Sequence, residues 1–181
     1  MKQALFILTF FSLMLFGQDG QKPATRDPFL QTPVGNRPPS STPENKVRIR
    51  NADEIKKDTN YDGNRYFKGN VVFEHQGSVL SADLVILYEE ENFLKAIGNV
   101  KLLNADGSVI TAEEMEYDGN TQRGVARKNV VLNDPKGTVI KTQTMYYDRI
   151  SNEAYYNTGG TISDGKSVTY SKSGTYDLTT R

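Results

Sequence analysis

From Gly98 to Gly119 the chain reads GNVKLLNADGSVITAEEMEYDG, and thirty residues on, from Lys128 to Arg149, it reads KNVVLNDPKGTVIKTQTMYYDR. Extending that offset in both directions produces columns. Ala52, Ala82 and Ala112 share one, with Thr142 next in line; Gly77, Gly107 and Gly137 share another, and Val79, Val109 and Val139 a third. Leu80, Ile110 and Ile140 follow, then Val85, Met115 and Met145, then Leu87, Tyr117 and Tyr147. A fixed period of roughly 20–50 residues marks stacked architectures, in which each unit buries its apolar face only against its neighbours. The columns are apolar or glycine and no reactive group recurs with them, so what repeats is a shape.

The shape is β. Short apolar runs (Val71–Phe73, Val100–Leu103, Val130–Leu132) alternate with turns rich in Gly, Asn and Asp. Gly77, Gly107 and Gly137 each mark a hairpin-like turn, where glycine takes positive φ at little steric cost. Asp118-Gly119-Asn120 marks a second turn, echoed by Asp148-Arg149 and by Asp177. No long amphipathic helical pattern exists, and no helix of any length is expected after residue 45. Positions 80, 110 and 140 are even while 85, 115, 145 and 87, 117, 147 are odd, so an unbroken strand would aim the two sets at opposite faces. If both face inward, the strand bends near Ala82, Ala112 and Thr142, where a small residue suits close backbone approach. Folding each repeat about that corner gives two facing sheets with a narrow apolar trough between them. The residues expected to line it are Phe73, Val85, Leu87, Val100, Leu102, Met115, Tyr117, Val130, Leu132, Met145 and Tyr147, with Lys101 and Lys141 pointing out. Stacked at about 4.8 Å per repeat, four or so repeats predict a body only ~20 Å long.

The ends differ in texture. Met1-Lys2-Gln3 followed by the apolar run Ala4–Phe16 has the length of a signal-peptide core and is too short to span a bilayer. Residues 1–17 therefore read as a leader for export. Six of the seven prolines fall between Pro23 and Pro43, so 18–46 reads as a disordered linker unable to bury enough apolar surface to offset its ordering entropy. Phe29-Leu30 is its one sticky spot and is expected to be incidental. Residues 47–181 form the folded domain. Cysteine is absent, which leaves neither a disulfide nor a lipid-anchor cysteine. Lys and Arg number 22, as do Asp and Glu; such balance, with no basic cluster, argues against nucleic acid as a partner.

Asn51-Ala52-Asp53, Tyr66-Phe67-Lys68-Gly69-Asn70-Val71, Ala96-Ile97-Gly98-Asn99-Val100 and Glu116-Tyr117-Asp118 resemble the OstA-like family of lipopolysaccharide-transport proteins, whose members include LptA, LptC and the N-terminal domain of LptD. The resemblance covers roughly Val47 to Arg181. It implies a twisted β-jellyroll, open along one side and at both ends, and a periplasmic protein that is not an enzyme and needs no cofactor. The trough would hold the acyl chains of lipopolysaccharide. Partners would be lipopolysaccharide itself and further OstA-like jellyrolls (LptC-like, LptD-like, or a second copy) docked edge to edge, with contact to membranes only through them. The match drifts toward the end: Lys128-Asn129-Val130 replaces the third G-N-V, and Gly159-Gly160-Thr161-Ile162 the fourth. The final strand, expected from Ser171 to Thr179, has no proline to blunt its edge.

Other chemistry finds less support. Asp118, Asp148 and Asp177 form a column that a β-helix polysaccharide enzyme would use, but aspartate after tyrosine at a strand end is turn chemistry. Glu89-Glu90-Glu91 lacks the alternating ligands and glycine of a calcium loop and reads as a solvated turn. His75 is the only histidine; with no cysteine beside it no transition-metal site is expected, and it reads as a surface strand residue. Tyr117, Tyr147 and Tyr176 suggest a packing ladder. The alternative from a different class is a structural or adhesive exported β-solenoid, closed at its core and without lipid cargo.

Overall fold

The computed structural model describes residues 26–31, 46–61 and 63–179; the predicted leader and most of the linker lie outside the described residues. A single turn of helix, α1 (Pro28–Gln31), precedes β1 (Arg48–Asn51), β2 (Glu54–Lys57), β3 (Arg65–His75), β4 (Ser78–Tyr88), β5 (Phe93–Leu103) and β6 (Val109–Asp118). Then come β7 (Arg123–Asn133), β8 (Val139–Asp148), β9 (Glu153–Tyr156), β10 (Gly160–Ser163), β11 (Val168–Ser171) and β12 (Gly174–Asp177). A 3-10 turn at Thr59–Tyr61 is the one departure, among the described residues, from the expected absence of helix after residue 45.

The fold is an all-β, open, bent antiparallel sheet. Each thirty-residue repeat supplies two antiparallel strands, so a single repeat advances the sheet by two steps, about 9.6 Å, and not by the one step of a solenoid coil. Val79 pairs with Leu103, Leu103 with Val109, Val109 with Asn133 and Asn133 with Val139. The valine column thus lies in one row, but on every second strand. The correction follows from the turns: two reversals per period make a meander, whereas a coil needs none.

Every long strand bends at its middle. Register shifts fall between Lys68 and Val71, Ser81 and Leu84, Ile97 and Val100, Thr111 and Glu114, and Arg127 and Val130. They bracket the predicted corners at Ala82 and Ala112. On the odd strands the corner is a pair of left-handed residues: Gly69 and Asn70 (φ 75° and 45°), Gly98 and Asn99 (78° and 45°), Lys128 and Asn129 (65° and 52°). The bend divides the sheet into two limbs. Limb A orders β1, β3, β4, β5, β6, β7, β8, β10 and β11. Limb B uses the other halves of the long strands, opened by β2 on β3 and closed by β9 on β8 and β12 on β9. Nine strands at about 4.8 Å give limbs of ~38 Å, nearly twice the length expected from a solenoid.

Candidate functional site

The inner faces of the limbs are built from rows of paired residues. On limb A, Phe73, Leu80, Leu102, Ile110, Leu132, Ile140 and Ile162 follow one another strand by strand. On limb B, Phe67, Val85, Ala96, Met115, Ala126 and Met145 do the same. Nearer the tip of limb B, a third row runs Leu87, Leu94, Tyr117, Gly124, Tyr147, Ala154, Tyr176. Its tyrosines sit on every second strand and a glycine or alanine between them, so the rings have room to lie over the small residues. The predicted tyrosine ladder is therefore spaced by two strands.

All eleven residues predicted for the trough are buried in a single apolar cluster. Lys101 and Lys141 are exposed, as the alternation requires. The sequence-derived list omits half of the lining: Phe67, Leu80, Leu94, Ile110 and Ile140 are equally buried. The signal for three of them, the 80, 110, 140 column, is present in the sequence. The trough is filled by its own side chains. The cavity between Phe73, Leu80, Leu94, Leu102, Met115 and Tyr117 holds about 20 Å³, roughly the room one water needs.

The mouth of the trough, where the limb tips meet, is polar. Arg149, just past β8 on limb B, donates from Nη1 to Gln76 Oε1 at 2.6 Å and from Nη2 to the Gln76 carbonyl at 2.6 Å. Gln76 is the turn residue after β3, so this contact spans the mouth. Arg149 Nη1 also reaches Gln122 Oε1 at 2.8 Å. His75 is only 5% exposed and shares a 2.8 Å hydrogen bond between its Nδ1 and the Tyr117 hydroxyl. The surface position expected for it is thus corrected: Val71, Phe73 and His75 alternate inward, and the strand's last inward residue lands at the mouth. Tyr176 donates to Asp134, tying β12 to a limb A turn. Burial holds the Tyr117 and Tyr147 phenols well above the usual tyrosine range, with the Arg149 charge pulling the other way. Ser78 Oγ and Asn104 Oδ1 are buried at the cavity and find no hydrogen-bond partner among the described residues.

The aspartate column is turn chemistry. Asp118 Oδ1 accepts from the backbone of Asn120 at 2.8 Å and Thr121 at 3.0 Å, Asp148 Oδ1 from Ile150 at 2.9 Å, and Asp177 Oδ1 from Thr179 at 2.7 Å. Glu89, Glu90 and Glu91 form an exposed turn. Among the described residues no three His, Asp or Glu side chains cluster as metal ligands.

Phe29 and Leu30 are not incidental. Leu30 is fully buried against Phe93 and Val125 on the outer face of limb B, and the Phe29 ring meets Tyr146 and Tyr155 edge-on at 5.3 and 5.5 Å. Arg127 Nη2 binds Asp27 at 2.6 Å and Arg26 lies over Phe93 at 4.4 Å. A composition poor in apolar residues does not prevent the six-residue stretch 26–31 from docking through Phe29 and Leu30 where the sheet's outer face is itself apolar.

Residues 44–181 match the family described as OstA-like protein. Among solved structures, the chain is similar to LptH, the LptA homologous periplasmic component of the conserved lipopolysaccharide transport device from Pseudomonas aeruginosa. The identity is 18% and the TM-score 0.48, over 56% of this chain and 75% of that one. No curated protein matches.

Proposed function

The chain belongs to the OstA-like family, and from that premise we propose that it is a periplasmic lipopolysaccharide-binding and transport module whose interior carries acyl chains. The supporting observation is the continuity of the inner rows. The limb A row begins at Ile49 beside Phe73 and the limb B row at Ile55 beside Phe67, and these isoleucines are 38% and 53% exposed. An apolar surface that runs along both limbs and emerges at an unpaired sheet edge is built for continuation by a neighbour. Exposing each acyl CH₂ to water costs roughly 0.8 kcal/mol, so a continuous apolar slot lowers the barrier to moving a lipid with no chemical step. The neighbour is another OstA-like jellyroll, LptC-like or LptD-like, or a second copy. The test is photo-crosslinking: a photoreactive residue at Met115 should capture labelled lipopolysaccharide, and one at exposed Lys101 should not. Equal capture at both positions defeats the proposal.

The filled interior favours the second reading, a structural or adhesive β-sheet protein without lipid cargo. A fluorescent fatty acid separates the two: the transport module takes it up with a blue-shifted emission, and a permanently closed stack does not.

A further inference from the structure

Arg149 sits at the mouth of the trough with three acceptors, the amide oxygens of Gln76 and Gln122 and the Gln76 carbonyl, all of them neutral. Among the described residues it forms no ion pair. The carboxylate next to it, Asp148, is held by Arg123 Nε at 2.7 Å and caps its own turn. Asp118 likewise caps a turn and faces Arg26 at 3.8 Å. Beneath the guanidinium lies the apolar cavity of Phe73, Leu94, Leu102 and Met115, and at the same cavity stand Ser78 Oγ and Asn104 Oδ1, both without partners. Ser78 and Asn104 are 7% and 4% exposed, and a buried polar atom left without a partner is costly. A cation, a hydroxyl donor and an amide acceptor thus converge where an apolar slot meets solvent.

We propose that this is a head-group site for an acidic, acylated amphiphile, with the acidic group, carboxylate or phosphate, bound by Arg149. The inference rests on the trough reading and names the cargo group that meets the protein there. An anion adds to these hydrogen bonds a charge–charge attraction and a bidentate fit that the neutral oxygens of Gln76 and Gln122 lack, so it displaces them from the guanidinium. That same displacement undoes the contact between limb tips, so the clasp opens as the head group binds and the chain enters the slot behind it. Had a carboxylate of the protein held Arg149, the exchange would gain nothing.

The experiment uses the full exported chain and three fluorescent probes of equal chain length: a fatty acid, the matching fatty alcohol and the matching alkyl phosphate. The wild type should bind the acid and the phosphate about tenfold more tightly than the alcohol, the size of one charge-assisted hydrogen bond. In Arg149→Gln that preference should vanish while alcohol affinity stays equal or rises, since the clasp is weaker; unchanged alcohol binding also certifies the fold. Arg149→Lys should keep part of the preference. Phosphate bound more tightly than acid assigns the site to phosphate, and the reverse order assigns it to carboxylate. A preference that survives in Arg149→Gln, or a wild type that binds alcohol as well as acid, overturns the head-group site and leaves the trough standing. A wild type that binds none of the three overturns both.

Discussion

Asn99 Nδ2 donates to Asp83 Oδ2 at 2.8 Å, fastening the corner of β5 to the corner of β4. The pair recurs two strands away on either side, as Asn70 with Asp53 at 2.9 Å and Asn129 with Glu113 at 2.5 Å. The asparagine is the middle residue of G-N-V and the acid follows the alanine column, so one interaction links the two motifs of each repeat. In the last repeat the acid becomes Gln143 and the corner is closed by Thr142 and Thr158, whose hydroxyls lie 3.0 Å apart.

A Cβ on Gly98, at φ 78°, would stand 2.5 Å from Asp83 Oδ2. Gly98→Ala should therefore destabilise the domain by about 1–3 kcal/mol, read as a lower urea midpoint at unchanged slope. Asp83→Ala alone should cost about 1 kcal/mol. The double mutant should cost less than the sum, because removing the carboxylate removes the clash.

Gly124 lies between Tyr117 and Tyr147 in the third row, and a Cβ there meets Tyr117 Cδ2 at 3.6 Å, an ordinary contact. Gly124→Ala should be neutral or stabilising by up to about 1 kcal/mol. Gly124→Leu should displace the rings and cost about 1–3 kcal/mol. Thermal midpoints with near-ultraviolet circular dichroism of the tyrosines distinguish these outcomes.

Tyr117 and Tyr147 titrate above the ordinary tyrosine value because burial disfavours the phenolate. The folded state then keeps protons that the unfolded chain releases near its ordinary pKa of about 10. Their stabilising share is whole below that pH and declines as pH rises past it, by up to about 1.4 kcal/mol per unit per phenol. Unfolding midpoints should fall steeply above about pH 10, and Tyr117→Phe should make the fall shallower. An equal slope in that variant would place the titration elsewhere.

Ile49 and Ile55 emerge on two edge strands, so Ile49→Lys with Ile55→Lys should leave the fold intact and abolish concentration-dependent association in sedimentation velocity. Wild type that remains a monomer at high concentration, with and without an LptC-like partner, would remove support for edge-to-edge docking.

Leu30→Ala should release α1 from Phe93 and Val125. Trypsin should then cut at Arg26 faster, with the domain's thermal midpoint little changed, because the segment packs on the outside of limb B and shares no residue with the main core.

The fold was legible where a residue type recurs by column. The parity switch between Leu80 and Val85 located the corner, and the same switch nominated trough residues such as Met115 and Tyr147. Period alone does not separate one coil from one hairpin, and the stack length came out short for that reason, although Gly107 and Asp118 already marked two reversals per repeat. The mouth was illegible. Gln76 and Arg149 are separated by 73 residues, belong to no column and meet only because the limbs face each other. His75 was misread because a lone histidine was weighed as a ligand and not as the third member of the alternation Val71, Phe73, His75. The outer patch of Phe93, Val125, Tyr146 and Tyr155 went unseen because each of its members stands beside a stronger inward column.

The sheet is split at both extremities: β1 and β2 cover the two limbs of β3, while β11 and β12 stand as separate edges on β10 and β9. A joint made through one strand is a swivel, free to twist about its own line. A joint made through two strands on opposite limbs is a keyed coupling, because rotation that improves one ladder tears the other. Copies or partners joined in this way must arrive in phase, mouth above mouth, and a misphased neighbour would be rejected by geometry before any side chain is consulted.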